Sequence, residues 1–377
     1  MHPDQINRTI KIAVIAGIRS QYMKLAALQK TIDEWNEINN HKILVTYINT
    51  GQHYDDNLAG VFIRELNIRF DADFTNEYKS TRPIDIFGGM IIRLYDYLPK
   101  IDPNWVIVFG DANTTLAGAI AASKRNIPLI HIEAGVRTGD KTSPEEINRI
   151  LTDNMASVCF TSARKDATNL QAEGITDNVI WTGDLIKDLV ERLSPSLPAC
   201  PTGYSNGKYI FASLHREENL SDDKILTTFL QELNRYSKKV LFITHPRTKL
   251  RCEALGLYDN LKNVDYVSAL SYKQTLSAIK NCAFLVTDSG AFQREAYYLQ
   301  KRCLIRQDHA FWKTLTDVGI HRTIGSSAND LRNGIDWIEK KLTEDIYPII
   351  DDLGDGNAGL RIIHSITELT AKKLTGY

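Results

Sequence analysis

The residues of this chain that could do acid/base or anion chemistry recur in one kind of place, directly after a short apolar run. Gly17, Arg19 and Lys24 follow IKIAVIA, and TGQHYD (50–55) follows ILVTYIN. Asp111 follows WVIVFG, and Glu133 and Arg137 follow PLIHI. Further on stand His215, Arg216 and Asn219, then His245, Pro246 and Arg247, then Asp288, Ser289 and Gly290. The stretch HIEAGVRTGDKTSPEEINR (131–149) is the densest, with Glu133, Asp140, Glu145, Glu146 and two arginines around two glycines. Alone, such a loop is most simply a solvated one. With Asp111 and His215 at other strand ends it points to general acid/base work. Carboxylates held close together raise at least one pKa, so that one can donate a proton while another accepts.

Anion-binding groups accompany them. TDSGAFQREA (287–296) follows an apolar run and opens a helix, so Ser289 and Gly290 present backbone N–H groups and a hydroxyl as a phosphate cradle would. DSG is equally a common helix-capping turn. Glu295, one turn further in, could accept both hydroxyls of a ribose; by itself it reads as a solvent-facing helix carboxylate. Arg19 and Lys24 could grip a diphosphate, or could be ordinary charges at a helix start. No GxGxxG follows the first strand and no Walker lysine motif occurs, which counts against a nicotinamide cofactor or a P-loop nucleotide triphosphatase. His131, His215 and His245 lack metal-ligand spacing, so no metal and no cofactor is expected; His131, inside an apolar strand, reads as a core residue.

Strand ends come together only in a sheet, and the pattern supplies one. The runs 10–16, 43–50, 105–111, 128–135, 157–162 and 179–184 are apolar on both faces, as in a covered parallel sheet. Helical spacing fills the gaps, as in TTLAGAIAASKRN (114–126). This alternation predicts a doubly wound α/β domain. SPSLPACPTGYSNGK (194–208), with three prolines and two glycines, reads as a linker, after which the alternation restarts at 208–215, 239–246, 263–270, 283–290 and 302–306. The fold class is therefore α/β, two Rossmann-like domains facing a cleft, with residues 1–200 carrying the acid/base carboxylates and 201–377 the anion site. A closing helix at 357–374 could fold back on the first domain. No repeat between the halves is visible in the sequence.

Composition bounds the rest. A chain of 377 residues, 43% hydrophobic and 24% charged, is an ordinary globular one. With 45 Lys+Arg against 46 Asp+Glu, nothing draws it to nucleic acid or an acidic membrane. No apolar run is long enough to span a bilayer, and the polar start lacks the core of a secretory signal. Five scattered cysteines without a CxxC pair suggest reduced thiols and a cytoplasmic setting.

GIRSQYMKLAAL, TGQHYD, GDANTTLAGAIAA, HIEAGVRTGD with PEEINR, LHREEN and TDSGAFQREAYYL, taken in order, resemble the UDP-N-acetylglucosamine 2-epimerase family in its non-hydrolysing branch. The likeness runs from Gly17 to beyond Trp312. It implies the GT-B-like architecture, and inversion at C2 of an N-acetylhexosamine still attached to UDP. The C2 proton is not next to a carbonyl, so the family is thought to expel UDP first through an oxocarbenium-like state. Loss of the proton then gives a 2-acetamidoglucal, and UDP re-adds with protonation from the other face. By resemblance, Asp111, Glu133, Glu145 and His215 are the catalytic positions, and Arg19, Lys24, Arg137, His245, Ser289, Gly290 and Glu295 contact the UDP-sugar. Gln52 and His53 fall where many bacterial members bind a second, activating UDP-sugar; a structural turn explains them equally well. A homodimer making precursors of surface polysaccharide is the implied setting.

Some positions depart from the family. Ser20-Gln21 replaces its usual Pro-Glu, and Ala291 its second glycine. Gln21, HPRT (245–248) and Trp312 resemble a branch acting on modified sugars such as UDP-2,3-diacetamido-2,3-dideoxyglucuronate. The segment QDHAFWKTL (307–315) otherwise keeps little of the family pattern and is expected to face the sugar. A hydrolysing epimerase, a GT-B glycosyltransferase and a sugar-nucleotide-binding regulator without catalysis stay open as alternatives.

Overall fold

Parallel strands buried on both faces need helices above and below them, and the alternation in the chain provides these in order. The computed structural model describes residues 9–52, 60–78, 80, 82–201, 203–268, 270–307, 312–344 and 346–375. It holds two compact units, one of Met1–Leu189 with Asp351–Tyr377, the other of Val190–Ile350.

The first unit contains β1 (Ile10–Ala16), β2 (Ile43–Asn49), β3 (Ala72–Asp73), β4 (Trp105–Phe109), β5 (Leu129–Ile132), β6 (Val158–Thr161) and β7 (Val179–Trp181). They form one parallel sheet in the order β3-β2-β1-β4-β5-β6-β7. β4 is buried at all five positions. Helix Asn113–Lys124 lies close on the sheet because its facing residues are small: a Cβ on Gly118 would stand 2.7 Å from the Val108 side chain. Met90, Leu94 and Leu98 of helix Pro83–Ile101 join Ala13, Ile15, Val106 and Val108 in the core.

The second unit contains β8 (Tyr209–Ser213), β9 (Lys239–Ile243), β10 (Val264–Val267), β11 (Phe284–Thr287), β12 (Cys303–Arg306) and β13 (His321–Ile324), in the order β10-β9-β8-β11-β12-β13, again all parallel. Counted from its own first strand, each sheet thus reads 3-2-1-4-5-6, the doubly wound order. The first adds β7 as a seventh strand.

The strands stand where the apolar runs predict them, mostly one to three residues shorter. β3 and β13 were outside the expectation. Both are edge strands, and His321, Arg322 and Thr323 are too polar to read as a buried run. The division into compact units falls at Leu189/Val190, and the tail from Asp351 groups with the first unit. The tail is held there by the closing helix Ala358–Thr375, which buries Ile362, Ile363 and Ile366. Its first N–H groups, on Ala358 and Gly359, donate to the Asp188 carboxylate at 3.1 and 2.8 Å, and the Trp105 indole N–H donates to Thr370 Oγ1 at 2.8 Å.

His321 gives the second unit a pH signature. Buried in β13, it donates from Nε2 to the Gln293 carbonyl at 2.7 Å, and desolvation lowers its pKa to about 4. An unfolded histidine titrates near 6.5, so below that pH the unfolded chain takes up a proton that the folded chain refuses. Stability is therefore lost as pH falls from about 6.5 to 4. The shift corresponds to about 3 kcal/mol. Urea denaturation of the wild type and His321→Gln should show the wild type losing about that much more between pH 7 and pH 4. Parallel losses would remove His321 as the cause.

Candidate active site

Strand order reverses between β1 and β4 in the first sheet and between β8 and β11 in the second, and ligands of such sheets sit beyond the carboxyl ends of the strands there. In the first unit the gap between the ends of β1 and β4 is bridged by Gln21. Its Oε1 accepts from Gly17 N (2.9 Å) and Ile18 N (3.3 Å), and its Nε2 donates to Phe109 O (3.0 Å) and Thr115 Oγ1 (2.9 Å). The N–H groups that would open a phosphate cradle after β1 are thus taken by a side chain of the same turn.

The carboxylates stand one and two strands along. Glu133, just past β5, has φ +70°, the left-handed region that a residue with a side chain seldom enters. Its Oε2 lies 2.8 Å from Lys24 Nζ, with the two side chains only 10% and 4% exposed. Asp111, just past β4, pairs with Arg149, whose Nη1 also donates to Glu146 at 2.9 Å. Glu146 accepts from the Thr138 and Gly139 N–H groups at 3.1 and 2.9 Å. Burial would raise its pKa, but these N–H groups and Arg149 outweigh it and hold the carboxyl below its ordinary range. Asn148 Nδ2 donates to the Asp111 carbonyl at 2.9 Å. One short helix, Pro144–Met155, therefore supports Asp111 from two successive residues.

Beneath this lies a fully buried network. His131 stands 2.6 Å from Asp153 through Nδ1 and 2.7 Å from the Gly110 carbonyl through Nε2, the satisfied core histidine that its apolar strand suggested. Asp153 also accepts from Gly135 N (3.2 Å) and pairs with Arg137 at 2.7 Å. Desolvation opposes its ionisation, yet His131 and Arg137 bring its pKa below normal.

In the second unit Asp288, fully buried after β11, reaches across to the end of β8. It accepts from His215 N (2.9 Å), Arg216 N (2.8 Å) and Asn219 Nδ2 (2.9 Å), and its Oδ1 lies 2.8 Å from His215 Nδ1. Burial acts to raise its pKa, but the bond to His215 and these donors bring it below the ordinary range. A carboxylate only accepts, so Nδ1 carries the hydrogen and Nε2 is the basic nitrogen of this partly exposed ring. The His245 ring lies 6.3 Å away. Ser289 caps helix Gly290–Tyr298, its Oγ accepting from Phe292 N at 3.4 Å. The Trp312 indole donates to the Gly290 carbonyl at 2.9 Å, and its ring faces the Arg294 guanidinium at 4.2 Å.

Several positions differ from expectation. Arg137 is a structural clamp: Nε and Nη2 donate to Glu173 at 2.7 Å each, Nη2 also meets Asp153, and Nη1 meets the Val136 carbonyl. Burial alone would lower its pKa; Glu173 and Asp153 raise it instead. Such a guanidinium is held on three sides by groups of the chain itself. Glu145 is exposed and accepts from Ser143 Oγ at 2.7 Å, while its neighbour Glu146 is the buried one. Glu295, expected to face solvent when taken alone, is buried. Gln52 Oε1 accepts from Thr114 N at 2.9 Å, tying its turn to a helix start, and His53 lies outside the described residues. Arg19 stacks on the Phe62 ring at 4.1 Å. Within 307–315, residues 308–311 are likewise outside the description. Asp153, Arg149 and Glu146 were missed as site-building residues, although Glu146 and Arg149 stand i,i+3 on a helix, where ion pairs form. Among the described residues no cluster of His, Cys, Asp and Glu could hold a metal ion. No described helix is long and apolar enough to cross a membrane.

Comparison with known proteins converges on one family. The family model for UDP-N-acetylglucosamine 2-epimerase matches residues 36–367. A UDP-N-acetylglucosamine 2-epimerase of Methanococcus maripaludis is 32% identical, covering 94% of this chain and 98% of that protein. The UDP-2,3-diacetamido-2,3-dideoxy-D-glucuronate 2-epimerase of Pseudomonas aeruginosa is also 32% identical, covering 96% of this chain and all of that one. Among solved structures, the Methanocaldococcus jannaschii UDP-GlcNAc 2-epimerase in complex with UDP-GlcNAc and UDP superposes with a TM-score of 0.79 at 29% identity, covering 96% of this chain and 100% of that one.

The Arg149 pairs predict a stability effect. Arg149→Met leaves Asp111 and the buried Glu146 without their cation, and breaking buried pairs in this way costs about 3–5 kcal/mol. Urea denaturation at pH 7 should show a loss of that order. Glu146→Gln in the same background should restore part of it, and a loss under about 1 kcal/mol would show that the pairs hold nothing in place.

Proposed function

The chain belongs to the UDP-N-acetylglucosamine 2-epimerase family of isomerases, and from that premise we propose that it inverts C2 of a UDP-N-acetylhexosamine without hydrolysing it. The observation that supports this best is the pair of carboxylates, Asp111 and Glu133, at the ends of adjacent strands β4 and β5, the first paired with Arg149 and the second with Lys24. An epimerisation needs proton transfer at both faces of one carbon, and two separately held carboxylates supply it.

On this reading UDP departs from C1 as an anion, leaving positive charge on the ring. Asp111, Glu133 and Glu145 are the candidate groups for removing the C2 proton and returning one from the other side, with the carboxylates also countering the ring charge. Ser289 and Gly290, at the start of a helix, are the groups proposed to receive the diphosphate, and Arg19 is proposed as a further UDP contact. Glu295 receives the ribose hydroxyls. His215, held through Nδ1 by Asp288, takes up a proton on Nε2 and in that imidazolium form donates it to a phosphate oxygen or to the bridging oxygen as it leaves. His245 lines the same edge. The setting we propose is a cytoplasmic homodimer feeding surface polysaccharide. Gln21 and Trp312, with the likeness to the Pseudomonas aeruginosa enzyme, favour a second reading in which the sugar is a modified one.

The test is exchange of the C2 hydrogen in D2O across neutral and uronic UDP-sugars. We expect deuterium at C2 and the UDP-linked epimer as product. Free N-acetylmannosamine with UDP would assign a hydrolysing enzyme, and transfer to an acceptor a glycosyltransferase. UDP binding with no exchange for any sugar would leave a non-catalytic regulator. Asp111→Asn should abolish exchange while UDP still binds, and full exchange in that variant would take Asp111 out of the mechanism.

A further inference from the structure

Resting on that reading, we infer that His131 is a positioning residue for both Asp111 and Glu133, and that it does this as a buried imidazolium. His131 lies in β5, and its side chain and that of Asp153 are wholly buried. Its Nδ1 stands 2.6 Å from Asp153 Oδ1 and its Nε2 2.7 Å from the Gly110 carbonyl oxygen. A carbonyl only accepts, so Nε2 carries a hydrogen. At 2.6 Å a second hydrogen has to lie between Nδ1 and Oδ1, since two lone pairs at that distance repel. Oδ2 of the same carboxylate already takes the Gly135 N–H at 3.2 Å and Arg137 Nη2 at 2.7 Å, donors that favour the ionised form. The shared hydrogen therefore sits on nitrogen, and the ring carries both hydrogens and a positive charge. Arg137 in turn meets Glu173, so two cations face two carboxylates, the matching that buried charges require.

The two ends of this ring reach the segments that carry the two carboxylates. Gly110 directly precedes Asp111. It has φ +63°, its N–H donates to the Ile132 carbonyl at 2.9 Å, and its own carbonyl takes the hydrogen from His131 Nε2. The peptides on either side of Gly110 are thus both tied to β5, and the second of them leads into Asp111. Through Asp153 the other end of the ring reaches the N–H of Gly135, two residues past Glu133. Asp153 belongs to helix Pro144–Met155, whose Asn148 and Arg149 meet the Asp111 carbonyl and carboxylate. β4 ends at Phe109 and β5 at Ile132. Beyond them the backbone bonds of Gly110, Glu133 and Ala134 continue for one more step, and the ring adds the tie that runs across all three elements. A neutral imidazole would donate at one end only. The charged ring donates at both, and charge-assisted bonds are the stronger kind.

Neutron diffraction from crystals of the perdeuterated wild type at pH 8 reads the ring directly. Deuterium is expected on both Nδ1 and Nε2 of His131, and its absence from either nitrogen would overturn the inference. Kinetics then test the positioning. His131→Phe keeps a buried ring but donates to neither partner. It should bind UDP and hold KM for the UDP-sugar within about 3-fold of the wild type, while kcat falls by about 100-fold. A kcat within about 3-fold of the wild type would remove the positioning role, and so would a loss of UDP affinity in step with kcat, the mark of a general disturbance. Asp153→Asn is the second variant and decides the matter if His131→Phe does not fold. An asparagine amide can donate to Nδ1 and still accept from Gly135 N and Arg137, so the ring becomes neutral yet keeps its hydrogen on the Gly110 carbonyl. With every tie still made, kcat should fall by less than about 10-fold, and a larger loss would show that the ties are not what matters. The neutron map and UDP binding do not depend on turnover. A wild type that fails to exchange the C2 hydrogen would therefore defeat the proposed function and leave the charge on His131 to be judged from the map.

Discussion

A carboxylate withdrawn from water has to meet a cation or several N–H groups, and the carboxyl ends of both sheets are organised around that requirement. Glu133 meets Lys24, Glu146 and Asp111 share Arg149, Asp153 meets His131 and Arg137, and Asp288 meets His215. Desolvation opposes ionisation of Glu146, Asp153 and Asp288, and in all three the partners win. Most of these partners come from a different element than the carboxylate, so the pairs are what join helix to strand end.

The two sheets show how one strand order accommodates different chemistry. Each reverses direction between its first and fourth strands. In the first unit a neutral amide, Gln21, closes that junction with four hydrogen bonds and consumes backbone donors. In the second Asp288 spans it, buried after β11 and hydrogen-bonded to His215 Nδ1 at the end of β8. Backbone topology offers a position, and the side chain placed there decides which groups close it.

The contrast between neighbouring residues marks the limit of motif reading. Glu145 and Glu146 are equivalent as letters in PEEINR, but the helix phase turns the first to solvent and the second onto Arg149 and the Thr138–Gly139 N–H groups. Arg137 looked available in a Gly-rich loop and is consumed by Asp153 and Glu173, the latter 36 residues away. Glu295 reads as a surface carboxylate by itself and is buried. Each outcome depends on what lies across the contact, which spacing along the chain does not encode.

What the sequence by itself determined is the local and periodic part. Apolar runs set eleven strands and the closing helix, because burial on both faces leaves a pattern that needs no partner to be seen. Polar residues after those runs marked the ends where chemistry collects, since a parallel sheet puts loops and helix starts there. Tertiary structure alone decided the pairings: Lys24 against Glu133, and Asp288 beneath His215. Those depend on distances between elements far apart in the chain, and on the charge that each buried group must find opposite it.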